Sequence, residues 1–175
     1  LVLQAERDER VQAYKNLVRV SFARGKSVVV VCPTLIETEL LEHELSRGIE
    51  DRVVVATSLK STRDLRRAWN QVATEEPLLI IGTPPVLTFP FRNIDAVVGE
   101  RESARSCTAR TRPQRDLRSA AEAIATALGA RLIRADFPVR AETYARLSDG
   151  TYEHLARPQA RSQSKAELTV LEVRA

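Results

Sequence analysis

A chain of 175 residues with 43% apolar content is long enough for one ordinary domain with a buried core, and too apolar for a disordered segment. No apolar run approaches the roughly 20 residues of a membrane helix, and Leu1-Val2-Leu3 is too short for a signal peptide, so a membrane role is not expected. The formal charge of +4 and a pI near 9.4, carried almost wholly by Arg, suit a nucleic-acid partner; a plain compositional bias towards Arg is the alternative.

Taken in order, Leu1-Val2-Leu3 reads as the end of a first strand. After a polar stretch, Gln4 to Arg10, the residues Val11, Tyr14, Val18 and Phe22 fall at helical spacing, with Gly25 as the stop. Val28 to Cys32 is a continuous apolar run closed by Pro33, the pattern of a strand buried on both faces. Glu37 to Arg47 predicts a helix with Leu40, Leu41 and Leu45 on one face and Gly48 as its stop. Val53 to Ala56 is the next strand. Ser61 or Thr62 caps a helix whose apolar stripe is Leu65, Trp69 and Val72, which favours Trp69 in the core over a stacking role.

Leu78 to Ile81 is a third buried strand, closed by Gly82-Thr83-Pro84-Pro85, and Ile94 to Val98 is a short fourth. Arg101 to Arg115 is polar and irregular. Leu117, Ala121, Ile124 and Leu128 form a helical face, Arg131 to Arg134 a strand stopped by Pro138, and Arg140 to Ser148 a short helix. Leu168 to Val173 alternates as an edge strand does. Tyr144 and Tyr152 read as packing residues. Repeated βα units of this kind predict an α/β fold: a doubly wound, mainly parallel sheet with helices on both faces. The functional rim of such a sheet is the carboxyl end of its strands, here Pro33-Thr34, Ser58, Gly82-Thr83, Gly99-Glu100 and Asp136-Phe137.

Cys32 and Cys107 make neither a disulfide framework nor a zinc spacing, which points to a reducing, cytoplasmic setting. Cys107 lies among arginines, which would lower its pKa, but no base accompanies it. His43 and His154 have no ligand partners at metal spacing, so no metal site is expected. The lack of Met, even at position 1, is what a segment of a longer chain shows.

Several of these stretches carry a family resemblance. Ala23-Arg24-Gly25-Lys26 with the valine strand and Pro33, then Thr38, Leu40 and Leu41, then Trp69 with Leu78–Ile81 and Gly82-Thr83, resemble the first RecA-like lobe of the PriA-type replication-restart helicases. Phe89-Pro90, Asn93 to Val98, Glu142-Thr143-Tyr144, Gly150-Thr151-Tyr152 and Leu171 to Arg174 continue the likeness. It implies a lobe over residues 1–156, with 157–175 as an exit loop and strand leading towards a second lobe.

The resemblance also shows where this sequence departs from the family. The phosphate loop falls on Gln4 to Val11, where no glycine remains, Arg10 stands in place of the lysine, and Val11 in place of the hydroxyl that meets Mg²⁺. Glu6, Asp8 and Glu9 add carboxylates there; each like-charge contact near 4 Å costs about 4 kcal/mol at an effective dielectric of about 20. The acidic box that holds the metal and polarises water becomes Gly99-Glu100-Arg101-Glu102, and the third motif becomes Ala135-Asp136-Phe137-Pro138. The expectation is a degenerate nucleotide site at Arg7, Glu9, Arg10, Val11, Gly99 and Glu100, with no catalytic residue and no cofactor. A residual ATPase built on Arg10 and Glu100 is the alternative, and a purely structural lobe that positions its neighbours is another.

By the same resemblance, Pro33, Thr34, Thr38, Gly82 and Thr83 would hold DNA backbone, unless they are ordinary strand-end turns. Arg101, Arg105, Arg110, Arg112, Arg115 and Arg118, interleaved with Ser, Thr and Ala, form a run able to track phosphates, with a solvated loop as the alternative. The expected partners are branched or single-stranded DNA and other primosome or replication-restart proteins.

Overall fold

In the computed structural model, which describes residues 1–74, 76–109 and 115–156, the chain alternates strands and helices. The order is β1 (Val2–Gln4), α1 (Arg7–Ala23), β2 (Ser27–Val31), α2 (Leu35–Leu45), β3 (Val53–Ala56), α3 (Thr62–Val72), β4 (Leu79–Gly82), β5 (Ile94–Glu100), α4 (Leu117–Ala127), β6 (Arg131–Asp136) and α5 (Ala141–Ser148). The sheet runs β1-β6-β5-β2-β4-β3, and every pairing is parallel. This is the doubly wound sheet that the sequence predicts.

The valine run is its centre. β2 lies between β5 and β4, and Val28 to Val31 are wholly buried, because alternate side chains enter opposite layers. Val28 and Val30 pack with Val11, Tyr14, Leu17 and Val18 of α1 and Leu41 and Leu45 of α2. Val29 and Val31 pack with Ala68 and Val72 of α3 and Leu117, Ala121 and Ala125 of α4. Thr34, Ser61 and Asp116 each cap a helix by accepting a backbone N–H two or three residues on. Gly25 stands at φ +68°, the left-handed turn that releases α1 into β2.

Several faces are turned relative to expectation. Leu40 is exposed and Leu41 takes the core position; Leu128 is exposed and Ala125 is buried in place of the expected Ile124. Trp69 is 42% exposed rather than core, and Tyr144 is exposed rather than packed. β5 continues through Glu100, beyond the expected end at Val98, because it sits between β6 and β2 with ladder partners on both sides. The expected strand at 168–173 and the exit segment 157–175 lie outside the described residues. Among those described, no helix is long and apolar enough to cross a membrane.

Candidate functional site

All strands point the same way, so the loops after β1, β6 and β5 share one rim. Those three adjacent strand ends carry residues 4–11, 99–102 and 135–138, the stretches that the sequence resemblance singles out. After β1 only Ala5 and Glu6 separate strand from helix. The N–H of Ala5 donates to the Asp136 carbonyl, at 3.3 Å. A phosphate cradle needs several consecutive inward-facing N–H groups, and a two-residue link does not supply them. The residues present do not fit a bound triphosphate in the manner of a glycine loop.

Arg10, in the first turns of α1, and Glu100, the last residue of β5, meet in this gap. Nη2 of Arg10 donates to Oε1 of Glu100 at 2.7 Å, Nε lies 3.2 and 3.3 Å from the two carboxylate oxygens, and Nη1 donates to the Ala5 carbonyl at 2.9 Å. The Tyr14 hydroxyl, one turn along α1, donates to Oε2. All three side chains are buried. Burial opposes the Arg10 charge, and Glu100 more than offsets it, so the guanidinium pKa is raised. Burial first, and the Glu100 charge second, push the Tyr14 phenol well above its usual value. Each of these polar groups is thus matched within the protein, and the Glu100 carboxylate is held by two donors, Arg10 and Tyr14.

The neighbouring acids are also engaged. Asp136 accepts the N–H groups of Ser103 and Phe137, both at 2.7 Å. Glu102 accepts the Arg140 N–H at 3.2 Å and lies 3.7 Å from Arg134, which reaches Glu122 at 2.8 Å. Arg101 pairs with Glu37 of α2. Beside these groups a cavity of about 380 Å³ opens between α1 and α2, lined by Arg7, Ile36 and Leu40 among others. Arg7 pairs with Glu44 at 2.7 Å. Glu9 is exposed, Val11 faces the core, and Gly99 lies half-buried on β5.

The expected DNA positions lie at and beyond the ends of the neighbouring strands β2 and β4, with Pro33 and Thr34 before α2, Thr38 in α2, and Gly82 and Thr83 at the end of β4. Pro33, Thr38, Gly82 and Thr83 are buried there. Thr34 caps α2, and Thr38 donates its hydroxyl to the Thr34 carbonyl at 3.0 Å. Gly82 has a packing reason: a Cβ at this position would overlap the carbonyl oxygen of Ala56 on β3. The Thr83 hydroxyl is buried with no hydrogen-bond partner among the described residues. Arg105 and Arg115 are exposed, and Arg110 and Arg112 lie outside the described residues. Cys107 is the correction in this loop: it is buried, and desolvation outweighs Arg118 to push its thiol up to about 11. Among the described residues no cluster of His, Cys, Asp and Glu has the geometry of a metal site.

The sequence named Arg10 and Glu100 but not their pairing, and it missed Tyr14 as a third member. The available signal was the four-residue step from Arg10 to Tyr14, which places both on one face of α1.

No family model matches the chain. Over 147 residues it is 22% identical to the replication restart protein PriA of Bacillus subtilis (strain 168), which covers 84% of the chain and 18% of that protein. The chain is thus similar in sequence to part of PriA. It spans less than a fifth of that relative's length. Its fold is similar to domain 2 of the DEAD-box helicase Mss116p bound to an RNA duplex, with a TM-score of 0.59, 10% identity, and coverage of 94% of this chain and 64% of that one. It is also similar to the C-terminal domain of the DEAD-box protein Dbp5, with a TM-score of 0.56, 13% identity, and coverage of 90% and 88%. At such identities the likeness shows the fold alone, a RecA-like parallel α/β sheet. The matched domains are domain 2 and the C-terminal domain of their proteins, whereas the sequence resemblance leads to the expectation of a first lobe.

Proposed function

We propose that the chain is the first RecA-like lobe of a PriA-type replication-restart protein that has lost ATP-driven unwinding and works by binding DNA or primosome proteins. The observation that carries this is the buried Arg10–Glu100 pair: the residues at the phosphate-loop lysine and acidic-box positions bond each other. A nucleotide would have to break that pair and enter a strand-to-helix link of two residues. The order β1-β6-β5 supports the assignment as a first lobe, since it gathers the three altered motifs on one side of the rim and the expected DNA positions on the other. Arg105 and Arg115 add exposed cations close to that rim.

Calorimetric titration with Mg-ATP tests the loss of nucleotide binding. No heat of binding is expected at micromolar concentrations, and measurable micromolar affinity overturns the proposal in favour of a residual ATPase. Binding to forked and single-stranded DNA at two salt concentrations tests the rest. Salt-sensitive binding supports it; no binding at either concentration leaves a lobe that only positions its neighbours.

A further inference from the structure

The outward face of α3 presents charge and aromatic surface together. Arg63, Arg66 and Arg67 are exposed there, and none of them makes an ion pair among the described residues. The helix has a single acid, Asp64, and its carboxylate accepts the hydroxyl of the capping Ser61 at 2.6 Å. Between α3 and the 3₁₀ turn Pro84–Thr88 runs a groove of about 550 Å³, lined by Thr62, Leu65, Arg66, Trp69, Pro85 and Phe89, with Arg63 and Arg67 on the helix beside it. Trp69 is 42% exposed, and its ring lies 5.6 Å from that of Phe89 at 58°. Phe89 is buried, so it braces an indole whose other surface remains open. The groove starts at the functional rim, where Thr62 opens α3 and Pro85 follows β4, and runs along α3 to Trp69.

We propose that this groove holds single-stranded nucleic acid, with one base stacked on Trp69 and adjacent phosphates on Arg63, Arg66 and Arg67. The proposal rests on the DNA-binding reading above and names the surface that does it. An aromatic face with unpaired cations at its edge is the chemistry of a sequence-tolerant stacking platform. The charge decides between occupants: the lining offers Arg66 and no acid, and Arg63 and Arg67 stand beside it on the same helix, which favours a polyanion over an apolar peptide or a second copy of this basic chain.

Trp69 is the chain's sole tryptophan, so its fluorescence reports on this groove alone. Titration with an oligothymidylate of about 15 nucleotides is expected to quench it, and Trp69→Ala to weaken binding about tenfold while Trp69→Phe retains most of the affinity. The triple variant R63A/R66A/R67A is expected to reduce the salt slope of binding by about 2, since each single-strand phosphate contact contributes about 0.7. Oligonucleotide that binds without quenching, and equally well to Trp69→Ala, overturns the groove while leaving DNA binding elsewhere on the lobe intact. No binding by the unaltered chain at low salt removes both. A blue shift that grows with protein concentration, without oligonucleotide, assigns the groove to self-association and overturns the proposal.

Discussion

Arg10 and Glu100, 90 residues apart in sequence, form a buried ion pair across the ends of β1 and β5. Removing one member strands the other's charge away from water, which costs about 3–5 kcal/mol. Arg10→Met is therefore expected to lower stability by about that much in urea unfolding. The double variant R10M/E100L is expected to recover most of the loss, because no charge is left behind. A double-mutant cycle with no coupling between the two positions would contradict the pairing.

Tyr14 makes the fold sensitive to alkali. Its pKa is higher in the folded chain than the usual 10.0. A group raised on folding contributes fully below its unfolded value and loses that contribution as pH rises towards the folded one. Stability is expected to fall above about pH 10, with the Tyr14 phenolate appearing in the ultraviolet only as the protein unfolds. Tyr14→Phe is expected to cost about 1 kcal/mol at neutral pH and to flatten the alkaline limb.

Asp95 governs the acid side. Burial pushes its carboxyl up, but the Ser21 hydroxyl at 2.7 Å and the Arg131 guanidinium outweigh burial and hold it below 3.8. A depressed carboxylate stabilises the fold above its unfolded pKa, and that contribution is lost as pH falls through the folded value. Asp95→Asn is expected to cost about 2 kcal/mol at pH 7 and less below about pH 4. Urea midpoints at the two pH values check this.

Gly82 separates a packing role from a DNA role. With the Ala56 carbonyl already where a Cβ would stand, Gly82→Ala is expected to cost about 2–3 kcal/mol through a shift of β3 or β4. If the variant keeps wild-type stability and loses DNA affinity instead, Gly82 belongs to the interface.

The strands of this lobe were legible because burial on both faces writes itself as an unbroken apolar run, as in Val28–Cys32 and Leu78–Ile81. Helix starts were legible at Ser61, through its hydroxyl capping chemistry. Helical spacing, however, names a stripe without fixing its centre, and a rotation of one residue exposes Leu40 while burying Leu41. Trp69 left the core for the same reason: the buried line of α3 runs through Ala68 and Val72.

At the site, sequence reached the identities of Arg10 and Glu100 only through resemblance. Their meeting depends on strand order, which no local pattern encodes. Cys107 was misjudged because neighbours in sequence were counted and burial was not, and burial dominates its thiol.

The lateral position of β1 has a consequence for how the lobe is made. Its ladder partner is β6, with Val2 opposite Arg134, and the amino group of Leu1 donates to the Leu132 carbonyl 131 residues away. On the ribosome the first strand emerges long before the strand it pairs with, so β2, β4 and β3 can assemble while β1 waits. Closure of the rim around Arg10 then waits for β6, and a chain interrupted before residue 131 leaves an unpaired strand and an uncompensated arginine for quality control to find.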